Sequence, residues 1–199
     1  MKRTVLITGG CGGIARAIVE ALQDGYRVLA PSRHELDVTD LTAVRGYLAG
    51  RGKIDVLVNN AGTIHPARVF DSDPEEWTED VRVNLIGPYY LTRETLLCGC
   101  TCIINSSSTA GYAAYKEWSA YCAAKAGLIT LTKSLAAEGV AAYAICPGAT
   151  DTRFRDNLGL ANDSLQNPRE VGRLVVEILD GRYRPGDSIL IRKGQLEVR

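Results

Sequence analysis

The sequence predicts an α/β fold in which a mostly or wholly parallel sheet of about seven strands lies between two layers of helices. Three observations predict it. Short β-branched runs alternate with longer stretches of helical periodicity along the chain. Runs such as Val56-Leu57-Val58 and Ile189-Leu190-Ile191 are apolar at every position, as strands covered by helices on both faces must be. A glycine-rich turn directly follows the first of these runs, where a βαβ unit would open.

Val5-Leu6-Ile7 forms the first strand. In the helix after it, Ile14, Ala17, Ile18 and Leu22 recur at helical spacing, and Gly25 ends it. Residues 26–30 make the second strand and Leu36-Asp37-Val38 a third, very short one; Thr39 or Asp40 can cap the next helix. Residues 54–58 are the fourth strand. A long helix starts near Pro74, where Glu75 and Glu76 suit the dipole of the first turn, and runs toward Leu97. Residues 102–105 give the fifth strand. Alanine-rich residues 119–138, with Leu128, Leu131 and Leu135 on neighbouring turns, form the clearest helix. Strands over 142–145 and 188–191, with a helix over 169–179 between them, complete the pattern. No linker, repeat or low-complexity segment interrupts it, so residues 1–199 read as a single domain.

Lys+Arg and Asp+Glu both number 23 among the 199 residues. Zero net charge offers no field for nucleic acid or an anionic membrane, which leaves a small molecule as the expected partner. No run reaches the roughly 18 apolar residues that span a bilayer. The basic N-terminus leads into a short apolar run that meets Gly9-Gly10 instead of continuing as a secretory signal would, so a cytoplasmic protein is expected. Cys98, Cys100 and Cys102 alternate, which would place three thiols on one face of an extended segment. Their spacing suits a tetrahedral metal poorly, and buried, reduced cysteines beside a core strand, with no metal, are expected.

Between the first strand and its helix lies Thr8-Gly9-Gly10-Cys11-Gly12-Gly13-Ile14-Ala15. Glycines there let the backbone approach a diphosphate, whose oxygens the free N–H groups at a helix start can bind. The loop resembles the TGxxxGxG turn of the short-chain dehydrogenase/reductase family, with Thr8, Gly9 and Gly13 in place and Ala15 where the family has a last glycine. The resemblance continues in order through most of the chain. Asp37-Val38 is similar to the family's adenine-contacting acidic position, and Asn59-Asn60-Ala61-Gly62 to the NNAG turn beside the cofactor ribose. Val83-Asn84-Leu85-Ile86-Gly87-Pro88 resembles the segment that carries a catalytic asparagine, here Asn84. Pro147-Gly148-Ala149-Thr150-Asp151-Thr152 resembles the PGxxxT turn that meets the nicotinamide carboxamide through its last threonine, Thr152. The resemblance implies a Rossmann-like doubly wound three-layer sandwich. It also implies a dinucleotide site built from Thr8, Gly9, Cys11, Gly12, Gly13, Ile14, Ser32, Arg33, Asp37, Val38, Asn59, Ala61, Gly62, Pro147, Gly148, Thr150 and Thr152, with Tyr121 and Lys125 also touching the cofactor.

Two Tyr-x-x-x-Lys strings occur, Tyr112 to Lys116 and Tyr121 to Lys125. Reduction of a carbonyl needs a proton donor, and a free phenol with a pKa of about 10 is a sluggish one. A nearby ammonium lowers that pKa when both groups share one helix face, as Tyr121 and Lys125 do in the helix over 119–138. Tyr112 follows Gly111 in a stretch of weak helical periodicity and belongs to the loop after the fifth strand. In the family a substrate-polarising serine stands thirteen residues before the tyrosine; that step leads from Tyr121 to Ser108, and from Tyr112 to Gly99, which cannot serve. Ser108-Thr109-Ala110-Gly111 also continues as the family does, leaving Ser106 and Ser107 as helpers or structural residues. The resemblance then implies Tyr121 as general acid/base, Ser108 as hydrogen-bond donor to the reacting oxygen, Lys125 as support for the phenol and holder of the ribose, and Asn84 as holder of a proton-relay water.

The residue ending the second strand separates NAD from NADP: an acid there binds the ribose 2′-hydroxyl, a base the 2′-phosphate. Ala30-Pro31-Ser32-Arg33-His34 has no acid, which favours NADP(H) with NAD(H) possible. The substrate is then a carbonyl or alcohol compound, and the resemblance implies a homodimer or homotetramer through apolar faces around Leu91 and Leu131. Three segments are shorter than in the family: 33–36, 138–142 and 153–167, the last where a substrate lid would be built. His65 and Arg68 read as loop surface. Two rivals share features with this reading. A nucleotide-sugar epimerase or dehydratase has the tyrosine and lysine but needs a large C-terminal substrate domain; a dinucleotide sensor without turnover lacks the tyrosine or lysine that this chain keeps.

Overall fold

The computed structural model describes residues 2–156, 165–193 and 195–199, so most of the shortened lid segment lies outside the described residues. Among the described residues, seven strands form one sheet in the order β2-β1-β3-β4-β5-β6-β7. β1 (Thr4–Ile7), β2 (Arg27–Leu29), β3 (Val56–Asn59), β4 (Cys102–Ser106), β5 (Ala142–Pro147) and β6 (Ser188–Arg192) run parallel, and β7 (Gln195–Val198) returns antiparallel to β6. The helices are α1 (Gly13–Leu22), α2 (Leu41–Ala49), α3 (Pro74–Val81), α4 (Gly87–Leu97), α5 (Ser119–Ala137), a single turn α6 (Arg153–Asp156) and α7 (Pro168–Leu179).

Strand side chains alternate between two helical layers. Val5 and Ile7 of β1, with Val58, Ile104 and Ile145, pack against Ile18 and Leu22 of α1 and Leu174 and Ile178 of α7. Leu6, Leu57 and Ile103 face the other way, onto Val44 and Leu48 of α2, Leu91 of α4 and Leu135 of α5. The backbones of α1 and α7 approach closely: a Cβ added to Gly172 would lie 2.6 Å from the Ala17 carbonyl oxygen. Gly172→Ala is therefore expected to cost about 1–3 kcal/mol of stability by prising the two helices apart. A urea midpoint equal to that of the unaltered protein would contradict this.

Leu36-Asp37-Val38 is not a strand, contrary to the sequence expectation. The Asp37 carboxylate accepts hydrogen bonds from Thr39 N (2.9 Å) and the Thr39 hydroxyl (2.7 Å), while Leu36 N donates to Ser32 O, so the backbone turns. Leu36 and Val38 are nevertheless buried in the second core cluster, and that burial is the signal that reads as a strand. β2 thus stands at one edge of the sheet. At the other edge, β7 supplies a strand that the sequence pattern did not announce, because all four of its residues are exposed. The expected total of about seven holds with different membership.

Asp40 rather than Thr39 caps α2, accepting from Thr42 N at 2.8 Å and Ala43 N at 3.3 Å. The helix expected over 74–97 contains a wider π-turn at Arg82–Ile86, which carries Asn84. Leu91, expected on an outward assembly face, is fully buried beneath the sheet, and Leu131 packs against the same cluster. Cys98 is exposed at the end of α4 because Gly99 turns the chain at φ 86°, whereas Cys100 and Cys102 are buried. The three thiols therefore do not share one face. No helix among the described residues is long and apolar enough to cross a membrane. β1 has β2 on one side and β3 on the other, so the chain leaves it in opposite directions and a crevice opens at the carboxyl ends of the two central strands.

Candidate active site

The crevice is a cleft of about 850 Å³ that runs from the glycine loop to the start of α5. Gly9, Cys11, Gly12, Gly13 and Ile14 line one end. Gly9 adopts φ 69°, and a Cβ there would come within 3.0 Å of Ala61 Cα, so the loops after β1 and β3 touch through glycine. Thr8 makes that junction: its hydroxyl oxygen accepts from Asn60 N and Ala61 N, both at 2.9 Å. It is buried and outside the lining, a brace for the loop. Gly12 flanks the start of α1 and offers no side-chain cap, and the first turn holds no acid, leaving helix-start N–H groups open to an anion. A Cβ on Gly13 would meet Thr152 Cγ2 at 2.6 Å, so the loop after β5 closes over the helix start. Ala15 is fully buried in the first core cluster, where α1 accommodates its methyl group.

Farther along the cleft lie Arg33, Asp37, Val38, Ala61 and Gly62. Arg33 donates to Glu79 of α3 at 3.1 Å. Ser32 faces elsewhere: its N–H and hydroxyl both donate to the Glu35 carboxylate at 2.8 Å, which supplies this turn with an acid three residues late. Those hydrogen bonds hold the Glu35 carboxyl below its usual range. Asn59 also points inward, donating to Asn105 Oδ1 at 2.8 Å and Thr92 Oγ1 at 3.1 Å, while Asn105 donates to Thr132. This buried network joins β3, β4, α4 and α5, and Asn59 belongs to it rather than to the cleft wall. Pro147, Gly148, Thr150 and Thr152 line the opposite rim. The Thr150 hydroxyl donates to Gly148 O at 3.0 Å and accepts from Gln166 at 2.9 Å.

Ser108, Tyr121 and Lys125 converge at the other end. Ser108 caps the short turn Thr109–Gly111, accepting from Ala110 N at 3.1 Å, and its hydroxyl donates to Pro147 O at 3.5 Å. Ser107 braces α5 by donating to Lys125 O at 2.8 Å, and Ser106 contributes its carbonyl, which accepts from Lys125 Nζ at 2.8 Å. The Lys125 ammonium lies 5.4 Å from the Tyr121 ring centroid. Burial pushes the Tyr121 phenol up to about 12, and the Ser108 hydroxyl lowers it too weakly to offset that. The expectation of a lowered phenol is therefore not met in the protein alone. Burial likewise brings Lys125 down to about 8.

Asn84 sits fully buried behind this group, outside the cleft lining. Its Nδ2 donates to Thr63 O at 2.7 Å and Asp80 O at 2.8 Å, which leaves Oδ1 buried without a partner. A Cβ on Gly62 would fall 2.9 Å from that Oδ1 and 3.8 Å from Lys125 Nζ, so glycine keeps the space between the two groups clear. His65 is pinned to buried Asp80 at 2.8 Å, and Arg68 pairs with Glu117 at 3.8 Å. Missed in the sequence are the cleft-lining Tyr115, Trp118 and Phe154: the first two stand three residues apart in the loop before α5, and Phe154 joins them from the segment after β5.

An uncapped helix start at a topological switch point, joined to a buried phenol and ammonium and a half-buried serine, defines a dinucleotide-dependent oxidoreductase class. Comparison with known proteins agrees. Residues 34–163 match the family described as short chain dehydrogenase. The chain is 32% identical to an acetoacetyl-CoA reductase of Rhizobium meliloti, covering 98% of this chain and 99% of that one. It is 35% identical to an uncharacterized short-chain type dehydrogenase/reductase, y4vI, of Sinorhizobium fredii over 98% of its own length, but spans only 44% of that relative. The solved structure of ElxO with NADP bound superposes with a TM-score of 0.86 at 25% identity, covering 98% of each chain. The chain belongs to the short-chain dehydrogenase/reductase family, whose members are oxidoreductases that act on hydroxyl and carbonyl groups with a nicotinamide cofactor.

Proposed function

We propose that this protein interconverts a carbonyl compound and its alcohol with NADP(H), using Tyr121 as general acid/base. The observation that carries the reading is the convergence of Ser108, Tyr121 and Lys125 on one end of a cleft whose other end is an uncapped helix start. The residues fit a dinucleotide: Gly9, Gly12 and Gly13 leave backbone exposed to a diphosphate, and the rim residues Gly148 and Thr152 face the same space. A nicotinamide bound there supplies the hydride equivalent for reduction. Tyr121 gives its hydroxyl proton to the substrate oxygen, and Ser108 holds that oxygen by a hydrogen bond. Lys125 Nζ, anchored on Ser106 O, keeps positive charge near the phenol as it loses its proton. A water held by the unpartnered Asn84 Oδ1 next to Lys125 Nζ would relay a proton from solvent to Lys125 and so restore the one given up by Tyr121.

The test is the absorbance of NADPH and NADH at the nicotinamide band during incubation with ketones and aldehydes. Tight cofactor binding with no turnover across a broad panel would favour the sensor instead.

Arg33 carries the preference for NADP(H). A guanidinium at the end of the second strand suits a 2′-phosphate, and Glu79 competes for it. Arg33→Ala is expected to weaken NADPH about tenfold and leave NADH unchanged. Glu79→Gln is expected to tighten NADPH. Equal effects on both cofactors in a titration would overturn this assignment.

A further inference from the structure

We propose that the cleft selects a carbonyl or alcohol compound with a flat, apolar body, held against an aromatic wall beside Tyr121; this rests on the oxidoreductase reading above. Four rings adjoin in series. Tyr115 and Trp118 stand 5.1 Å apart between centroids, Trp118 meets Tyr121 edge-on at 5.9 Å and 84°, and Tyr121 lies 6.2 Å from Phe154. All four line the cleft. Tyr115 is 43% exposed and Phe154 38%, so the two ends of the ring series keep surface open to a ligand in the cleft that holds Tyr121. A single exposed ring is ordinary, but contiguous exposed apolar surface beside a catalytic group marks a binding surface. Rings stack on flat apolar partners in offset or edge-on geometries at these spacings.

Among the described lining residues the cations are Arg33, Lys116 and Lys125. Arg33 is assigned to the cofactor in the reading above, and Lys125 Nζ is held by Ser106 O. At the mouth, Lys116 at 3.5 Å and Arg68 at 3.8 Å share the one carboxylate of Glu117. Acetoacetate and acetoacetyl-coenzyme A offer the rings no flat apolar carbonyl body, and they serve as the contrast to a compound that does. The wall is held in place by backbone as well: Ala67 N donates to Glu117 O at 2.9 Å, and Ala67 and Trp118 form an isolated parallel bridge.

The full chain is assayed with 2-tetralone, acetoacetate and acetoacetyl-coenzyme A, each with NADPH and with NADH. Expected is a kcat/KM for 2-tetralone at least about tenfold above those of both anions, and a rise of about three- to tenfold in its KM on Trp118→Ala or Phe154→Leu with unchanged NADPH Kd. Phe154 is partly exposed, so its variant is not expected to disturb folding. Preference for either anion, or an unchanged KM in both variants, overturns the proposal while leaving the oxidoreductase reading intact. Silence with all three compounds counts against that reading, and the wall is then judged by calorimetric titration of 2-tetralone. Binding that weakens in Phe154→Leu upholds it, and no binding overturns it.

Discussion

Replacing Tyr121 with phenylalanine is expected to lower kcat for ketone reduction about 10²–10⁴-fold while the Kd for NADPH stays within about twofold. The substitution removes one oxygen and leaves a ring of the same shape between Trp118 and Phe154, so the cleft wall and the fold persist. What disappears is the proton donor. In the protein alone the phenol is pushed up to about 12, so its donor form prevails throughout the neutral range. A developing alkoxide is more basic still and takes the proton readily, which suits the reductive direction. Ser108→Ala should fall short of this, losing about 10²–10³-fold, because it removes one hydrogen bond to the oxygen and spares the donor. Lys125 adds a pH dependence. Its ammonium is brought down to about 8 by burial, so reduction is expected to hold on the acid side and to decline above about pH 8 as that proton is lost. Full turnover by Tyr121→Phe would remove the assignment altogether.

The sequence discloses this centre because its residues are bound by spacing. Tyr121 and Lys125 are one helical turn apart, and Ser108 stands at a fixed step before them; the structure brings all three to one end of the cleft. The decoy Tyr112 ends the short turn Thr109–Gly111, its ring under Arg199 at 4.8 Å, away from Tyr121. Spacing is silent about direction, however. Thr8, Ser32 and Asn59 are polar residues in cofactor-type motifs, yet each spends its hydrogen bonds on the protein, as a loop brace, a turn and a core network. A side chain that bonds its own backbone and one that bonds a ligand look alike in one dimension. The edges of the sheet were hidden for a related reason. Leu36 and Val38 are buried without pairing, whereas β7 pairs without burial, and an apolar pattern reports burial only. The aromatic wall depends on Phe154 of α6 meeting the stretch 115–121, and the raised phenol on an enclosure that no local motif encodes.

Lys125→Met should do two opposite things, ending turnover and making the fold more stable at neutral pH by about 2–3 kcal/mol. The ammonium is buried, and its fall from an ordinary value near 10.5 to about 8 measures how poorly the folded protein tolerates the charge. Ser106 O accepts one of the three protons it can donate, and the Tyr121 ring face lies 5.4 Å away. Methionine matches the length without the charge, so the main loss is the Ser106 hydrogen bond, worth about 1 kcal/mol. Because a base with a lowered folded pKa holds fewer protons folded than unfolded, stability rises with pH between about 8 and 10.5. The penalty is thus fully present below pH 8 and gone above about 10.5. Urea denaturation at pH 7 should show the variant ahead, and the gap should close by pH 10.5. A variant less stable than the parent at pH 7 would mean that Lys125 supports the fold rather than costing it stability.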